Sequence, residues 1–495
     1  MNQEVIVIGA GFAGLAAATT LADKGFRVTL LEKNDQPGGR ARTFEAEGFK
    51  FDMGPSWYWM PDVFEDYFKR FGKQTSDYYQ LKRLDPSYRV YFGENDFLDL
   101  PAGTEACIEL FEQIEKGSGE KLRKFLAESA YKYEVGINDL VYRPGRSIFE
   151  FADFRIMKGL FQLDLLKSIR KYARQYFRDP RLLQIVEFPI LFLGGTPENT
   201  PALYSLMNYA DMSLGTWYPE GGMNQIVKAM VALAEEKGVQ IMLNSPVEKV
   251  TVEGGEIKKV HTPNATYRAE KIVGAADYHH FEQQLLPASY RQYSEDYWQK
   301  RDMAPSSLLF YLGLKKPVKG LLHHTLFFDR SFDEHAREIY QAPQWPSEPL
   351  FYASATTKTE ANGAPEGGEN LFLLMPVAPG LDDPETQREK YFDLMISRLE
   401  DLTGSSIKHN IVFKRSYAHS DFIADYNAFK GNAYGLANTL RQTAILKPAM
   451  KSKTVKNLYY TGQLTVPGPG VPPSLISGQV VANEIMKDLK KSMAI

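Results

Sequence analysis

The chain has 495 residues, 44% of them hydrophobic and 24% charged, with a net charge of -3. This length allows about three domain-sized units around a large core, and the near balance of charge excludes a nucleic-acid footprint. The single cysteine, Cys107, excludes an internal disulfide, a CxxC redox pair and a multi-cysteine metal site.

In chain order, residues 5–8 form an apolar, β-branched run that meets Gly9-x-Gly11-x-x-Gly14 and then a small-residue helix over 15–21. This is the strand, tight turn and helix of a dinucleotide-binding βαβ unit. Gly9 makes the turn, Gly11 lets the backbone approach a pyrophosphate, and Gly14 packs helix on strand. The helix N-terminus offers N–H groups and a positive dipole end to the phosphates. A second strand over 27–31 ends at Glu32, an acid placed to accept hydrogen bonds from a ribose diol and to repel a 2′-phosphate. The run 36–42 adds a second glycine pair, Gly38-Gly39, with Arg40 and Arg42.

No basic and apolar signal segment precedes the first strand, and no apolar run reaches the ~18–20 residues of a membrane span. An intracellular chain is expected. No metal is expected either, since the eight histidines form no HExxH and the adjacent pairs His279-His280 and His323-His324 diverge on a strand or helix.

Residues 48–59 read as a strand running into a Gly-Pro turn with the aromatic cluster Trp57, Tyr58 and Trp59. Alternating segments 89–92 and 97–100 predict an antiparallel pair, and helical patterns follow from 106 to about 175. The stretch 151–195 interleaves Arg155, Lys158, Lys167, Arg170, Lys171, Arg174, Arg178 and Arg181 with bulky apolar residues. It suits either a solvated basic face over a core or an amphipathic helix in the interface of an anionic membrane. A helix is predicted over 224–237, with strands over 239–243, 247–252, 258–260 and 272–276, the last returning to the nucleotide sheet before Asp277. Further strands are predicted over 307–312 and 371–375, a helix over 388–402, and an exposed loop over 355–370. Residues 457–463 read as a strand into a turn, the turn carrying Thr461-Gly462-Gln463, and the PGPGVPPSLISG segment is a rigid turn into a final helix.

The opening fingerprint, Tyr218-Pro219-x-Gly221-Gly222, the C-terminal TGQ and PGPGVPPSLISG together resemble bacterial carotenoid desaturases of the phytoene desaturase type, within the FAD-dependent amine oxidase superfamily. Asp52-Met53-Gly54-Pro55 and Gly431-Asn432-Ala433-Tyr434-Gly435 are similar to further elements of that family. The resemblance implies FAD as cofactor and an α/β fold, in which a Rossmann-like FAD-binding domain is interleaved with a mixed-sheet substrate domain and a helical, membrane-facing part. The expected division is 1–75, 220–290 and 445–495 for FAD, 76–105 and 291–444 for substrate, and 106–219 for the helical part. It implies that Gly9, Gly11, Gly14 and Glu32 hold the ADP half, with Gly39 and Arg40 near the pyrophosphate and Val247 near the adenine. Gly462 and Gln463 match the segment approaching the ribityl and pyrophosphate groups, with Gln463 at a position that is commonly an acid. Gly470 and Val471 would offer backbone N–H groups to the flavin N1 and C2 carbonyl region.

Desaturation of an unactivated polyene removes two hydrogens, one as hydride to flavin N5, so the cofactor supplies the electronic work and the protein a shaped apolar tunnel. The 13% aromatic content fits such a channel. Trp57, Tyr58, Trp59, Trp217 and Tyr218 are candidates to face a carbocation-like intermediate. Asp52 and Glu220 are candidate proton acceptors. The expected partners are a long acyclic carotenoid, phytoene foremost, and a membrane surface that a cytoplasmic protein binds peripherally. A desaturase of a later carotene (C-3,4 desaturation of γ-carotene or a hydroxylated carotene), a carotene isomerase, an amine oxidase and a non-enzymatic prenyl-binding protein are the alternatives.

Overall fold

The computed structural model describes residues 3–147, 150, 167–439 and 441–493. Strand Glu4–Ile8 is buried from Val5 onward and pairs in parallel with Arg27–Leu31 on one side and Lys271–Gly274 on the other. An apolar strand without alternation is what a parallel sheet covered on both faces demands. Leu458–Tyr460 and Gln240–Met242 complete a five-stranded parallel sheet at its two edges. Helix Phe12–Asp23 is almost wholly buried, because it packs against this sheet, the final helix Val471–Met493 and helix Asn224–Glu236. The predicted strands at 5–8, 27–31, 239–243, 272–276 and 457–463 thus meet in one layer.

A second, seven-stranded mixed sheet runs in the order Ile411–Tyr417, Ser306–Leu314, Glu369–Val377, Phe351–Ser354, His324–Phe327, Tyr88–Gly93 and Asp96–Leu100. All its pairs are antiparallel except His324–Phe327 with Tyr88–Gly93. Strand Ser306–Leu314 is buried at every position. Its period of two sends Leu308, Phe310, Leu312 and Leu314 into a core with helix Glu385–Thr403, and turns Ser307 and Leu309 to the opposite face, where the cavity described below lies.

Trp217–Pro219 is a short strand paired with Leu81–Arg83, and 355–368 is the expected loop, mostly exposed or half-exposed. It contains the turns Thr356–Lys358 and Ala361–Gly363 and is tied down by Asn370, whose amide donates to the Lys50 carbonyl at 2.9 Å.

Of the basic stretch 151–195, residues 151–166, with Arg155 and Lys158, lie outside the described residues. In the remainder, Ile169, Tyr172, Phe177, Leu182 and Ile185 are in the core. Arg170 is gathered by Glu187, Glu198 and Asp333, Arg174 by Glu187 and Arg181 by Asp179. This described half is a core-facing helical layer with an ion-paired outer face. Among the described residues no helix is long and apolar enough to cross a membrane.

Candidate active site

The two glycine fingerprints are brought together by the crossing of the first and last helices. A Cβ on Gly478 would stand 2.2 Å from the Ala13 carbonyl oxygen, and one on Gly14 1.8 Å from that of Gly9. Neither contact tolerates a side chain. Gly9 has φ +108°, and its Cβ would meet Ala275 and Ala276 of the adjoining strand end at 3.0 Å. Gly11 differs, because a Cβ there meets nothing within 4 Å. Gly11 also precedes the first turn of helix Phe12–Asp23, which no side chain caps. An uncapped N-terminus facing open space fits an anionic group.

Around this turn the remaining expected residues converge. The Glu32 carboxylate, 5% exposed, accepts the Ala10 N–H at 2.8 Å and the Asn34 N–H at 2.9 Å. The Asn34 side-chain amide donates to the same carboxylate at 2.9 Å, and since a carboxylate has about four lone-pair sites, it retains capacity for one ribose hydroxyl. Gly39 (φ +55°) lies on the first loop, its Cβ position 3.3 Å from Gly11 Cα. Arg40 donates from Nη2 to the Asn432 carbonyl at 3.0 Å and stacks on Tyr426 at 5.0 Å. Its Nε has no partner, and among the described residues no carboxylate pairs with it. Burial pushes its pKa down. Its neighbour Arg42 is instead paired with Asp425. Gln463 lies against the same guanidinium, 3.0 Å from Nη2 when its amide oxygen is turned that way.

These residues border one cavity of about 550 Å³. Gly9, Gly11, Glu32, Gly39, Arg40, Val247, Gly462, Gln463, Gly470 and Val471 all line it; Gly14 does not, consistent with a packing role. An uncapped helix end, an acid with room for a ribose hydroxyl and a buried cation without a carboxylate form a set of groups that fits the ribose and pyrophosphate of a dinucleotide. Sequence reasoning missed Asp277, which lines the same end and accepts the N–H groups of His280 (3.1 Å) and Phe429 (3.3 Å), and whose carboxyl burial pushes up. Its only signal was its position directly after a sheet strand.

The cavity continues into an apolar arm lined by Trp57, Trp59, Phe188, Phe328, Phe332 and Tyr352, among others. His324 stacks behind Trp57 at 4.1 Å and 10°, and contacts the Tyr352 hydroxyl at 2.6 Å. His335 also borders the arm, but both its nitrogens are used, one accepting the Leu350 N–H at 3.0 Å and one donating to the Pro376 carbonyl at 2.9 Å. Burial pushes its pKa down to about 4. This arm is poor in charge. Little in the sequence announced it, since its walls are ordinary strand and helix residues.

The four expected catalytic candidates lie elsewhere. Asp52 accepts the Met223 and Asn224 N–H groups at 2.9 and 3.2 Å, satisfying the start of helix Asn224–Glu236. Trp217 donates to the Leu214 carbonyl, Tyr218 packs on His323 at 4.7 Å, and Glu220 is exposed. None of the four lines the cavity. Of the proposed aromatic face, Trp57 and Trp59 do, whereas Tyr58 is turned away to the Tyr79 hydroxyl. Among the described residues there is no cluster of three or more His, Cys, Asp or Glu able to hold a metal.

Residues 12–486 match the family of flavin containing amine oxidoreductases. The chain is 42% identical to a carotenoid 3,4-desaturase of Haloarcula japonica, over 99% of both chains. It is 32% identical to a zeta-carotene-forming phytoene desaturase of Myxococcus xanthus, over 98% of this chain and 94% of that one. Among solved structures it is similar to an oxidoreductase from Methanosarcina mazei (TM-score 0.63, 15% identity, 98% and 100% of the chains). It is also similar to a triple mutant of putrescine oxidase (TM-score 0.61, 14% identity, 98% and 99%); at these identities the likeness shows the fold. The glycine cradle, the apolar arm and these relatives agree: the chain belongs to the flavin containing amine oxidoreductase family, in its carotenoid desaturase branch, with FAD as its cofactor.

Proposed function

We propose that the chain desaturates a long carotenoid, with FAD held at the glycine end of the cavity and the polyene in the apolar arm. The observation that carries this reading is the continuity of the cavity, which joins a pyrophosphate-fitting cradle to an aromatic, charge-poor arm without an intervening wall. FAD, when bound, accepts the hydride taken from a C–H bond of the substrate. Gly9, Gly11 and Gly39 bring backbone close to the phosphates, and Arg40 balances their charge. Glu32 accepts from the ribose, Val247 borders the adenine, and Gly462, Gln463, Gly470 and Val471 border the rest of the cofactor. The apolar arm orients the polyene by shape and excludes water, so that charge developing on it is met by indole and phenyl faces. The identity of 42% to a 3,4-desaturase, against 32% to a phytoene desaturase, favours a late carotene over phytoene as substrate.

Anaerobic incubation of the FAD-loaded protein with phytoene, γ-carotene and a hydroxylated carotene, followed by product chromatography, tests this directly. The expected result is one new double bond per reduced FAD, with a late carotene preferred. A folded protein that never takes up FAD, or one that holds polyene without forming product, would sink the reading. Peripheral membrane binding belongs to the same proposal, supported by a lipid-soluble substrate and the basic, apolar composition of 151–181. Liposome flotation should fall when Arg155, Lys158 and Lys167 are reversed in charge, and flotation that ignores these changes removes the segment from the proposal.

A further inference from the structure

One layer behind the tryptophan wall lies a carboxylate with no cation. Asp211 is 1% exposed and accepts the Tyr88 hydroxyl at 2.7 Å and the Thr216 hydroxyl at 3.2 Å. Among the described residues no Lys, Arg or His pairs with it. Thr216 Oγ1 in turn accepts the indole N–H of Trp59 at 2.8 Å, and the Tyr88 ring meets Trp57 in a T-shaped contact at 5.3 Å. Trp57 and Trp59 both line the cavity arm. A directed chain thus runs from the wall inward, Trp59 N–H to Thr216, Thr216 O–H to Asp211, and ends on an anionic group in a low-dielectric surround.

Burying a carboxylate with only neutral donors is costly. An asparagine amide could accept from Thr216 and pair with Tyr88 in the same space without that cost, so hydrogen bonding alone does not account for an acid here. What the acid adds is charge, and its hydrogen-bond chain and ring contact lead to the two indoles of the arm. Negative charge at the end of such a chain polarises the Trp59 N–H and enriches the ring face. It also acts through space on whatever occupies the arm.

We propose that ionised Asp211 is a positioning residue for desaturation, one that strengthens the Trp57–Trp59 wall as a stabiliser of positive charge on the polyene. In the step concerned, a C–H bond of the substrate breaks, its electron pair leaves with the hydrogen to the oxidant FAD, and the carbon chain is left cationic. Asp211 forms no bond and takes no proton. The inference rests on the reading that the apolar arm holds the polyene.

The setting also makes the effect dependent on pH. With no cation to oppose it, burial pushes the Asp211 carboxyl up to about 7. The titratable groups facing it are Tyr88 and Cys107, whose thiol burial pushes up to about 12, so both stay neutral. The Arg83 guanidinium packs over Trp217 at 5.7 Å instead of pairing with Asp211. The anion therefore forms as pH rises through about 7.

The test uses the FAD-loaded protein and the Asp211→Asn, Thr216→Val and Ala336→Trp variants. Ala336 lines the arm, so a tryptophan there fills it. The first readout needs no turnover: the visible band of a bound product carotenoid responds to nearby charge, and should shift between pH 6 and pH 8 in the unaltered protein but not in Asp211→Asn. The second is anaerobic, substrate-driven reduction of bound FAD, expected to be about tenfold slower in Asp211→Asn at pH 8 and unchanged at pH 5.5. Thr216→Val keeps the charge, so it should retain the pH limb at a smaller loss of rate, and it serves if Asp211→Asn fails to fold. Polyene binding that survives Ala336→Trp would overturn the cavity reading and this proposal with it. If Ala336→Trp blocks binding but the removal of Asp211 or of its Thr216 link alters neither band nor rate, the cavity reading stands and the role of Asp211 is overturned.

Discussion

A methyl group at Gly11 meets no protein atom within 4 Å, whereas one at Gly14 would stand 1.8 Å from a carbonyl oxygen. The two glycines of one fingerprint therefore answer to different things, Gly11 to the cofactor and Gly14 to the fold. Gly11→Ala should leave the apoprotein's melting temperature unchanged while weakening FAD at least tenfold in a fluorescence titration; Gly14→Val should lose soluble folded protein outright. A second residue-scale prediction concerns Asp211. Its folded pKa, about 7, lies above its ordinary value of 3.8, so the fold prefers the protonated acid. The stability that preference contributes is fully present below pH ~4 and is lost as pH rises through about 7. Chemical denaturation should therefore show Asp211→Asn gaining on the unaltered protein between pH 5 and pH 8.5, by up to a few kcal/mol. A gap that does not change with pH would contradict a buried, cation-free carboxylate.

At the scale of elements, helix Asn224–Glu236 shows how a motif residue can serve architecture. Asp52, on strand Phe49–Asp52, reaches across to satisfy two N–H groups at the helix start, and the helix carries Val227, whose side chain packs beneath Gly38. Asp52→Ala should destabilise the protein by ~1–2 kcal/mol. Turnover per bound FAD should not change, and a large loss in that quantity would return Asp52 to the chemistry. The 167–195 layer makes a similar point. Its cations Arg170, Arg174 and Arg181, so prominent in the sequence, meet carboxylates of the layer itself, Glu187 and Asp179, and Arg170 also meets Asp333 of a distant helix, while the apolar residues fill the core.

The molecule as a whole closes its nucleotide sheet from three separated parts of the chain, residues 4–31, 240–274 and 458–460. FAD bound between the first and last of these ties the two ends of the chain together. Ligand that binds only the folded form stabilises it by about 2.7 kcal/mol at a hundredfold excess over its dissociation constant. Loading with FAD should accordingly raise the melting temperature and slow proteolysis, and Gly11→Ala should cut both effects at the same FAD concentration, to about 1.4 kcal/mol or less for a site at least tenfold weaker. A thermal shift that is undiminished in Gly11→Ala would place the cofactor elsewhere.

The nucleotide end was legible in the sequence because its information is local. Gly9, Gly11 and Gly14 specify a backbone path within six residues, Glu32 ends the next strand, and Gly462 to Gly478 repeats the same logic at the other end of the chain. These residue types record contacts with backbone and phosphate that do not depend on distant packing. The apolar arm was not legible, for the converse reason. Leu309 looks no different in sequence from Leu308 and Phe310, and only the sheet's position decides which face meets helix Glu385–Thr403 and which meets the cavity. Asp52, Trp217, Tyr218 and Glu220 carried the chemistry of a site without its location, and Asp211 the location without a motif. The sequence by itself determined that a dinucleotide is bound, because glycine and acid spacing encode backbone geometry directly. Tertiary structure alone decided what faces the polyene arm, because burial next to a cavity and burial in a core leave the same apolar pattern.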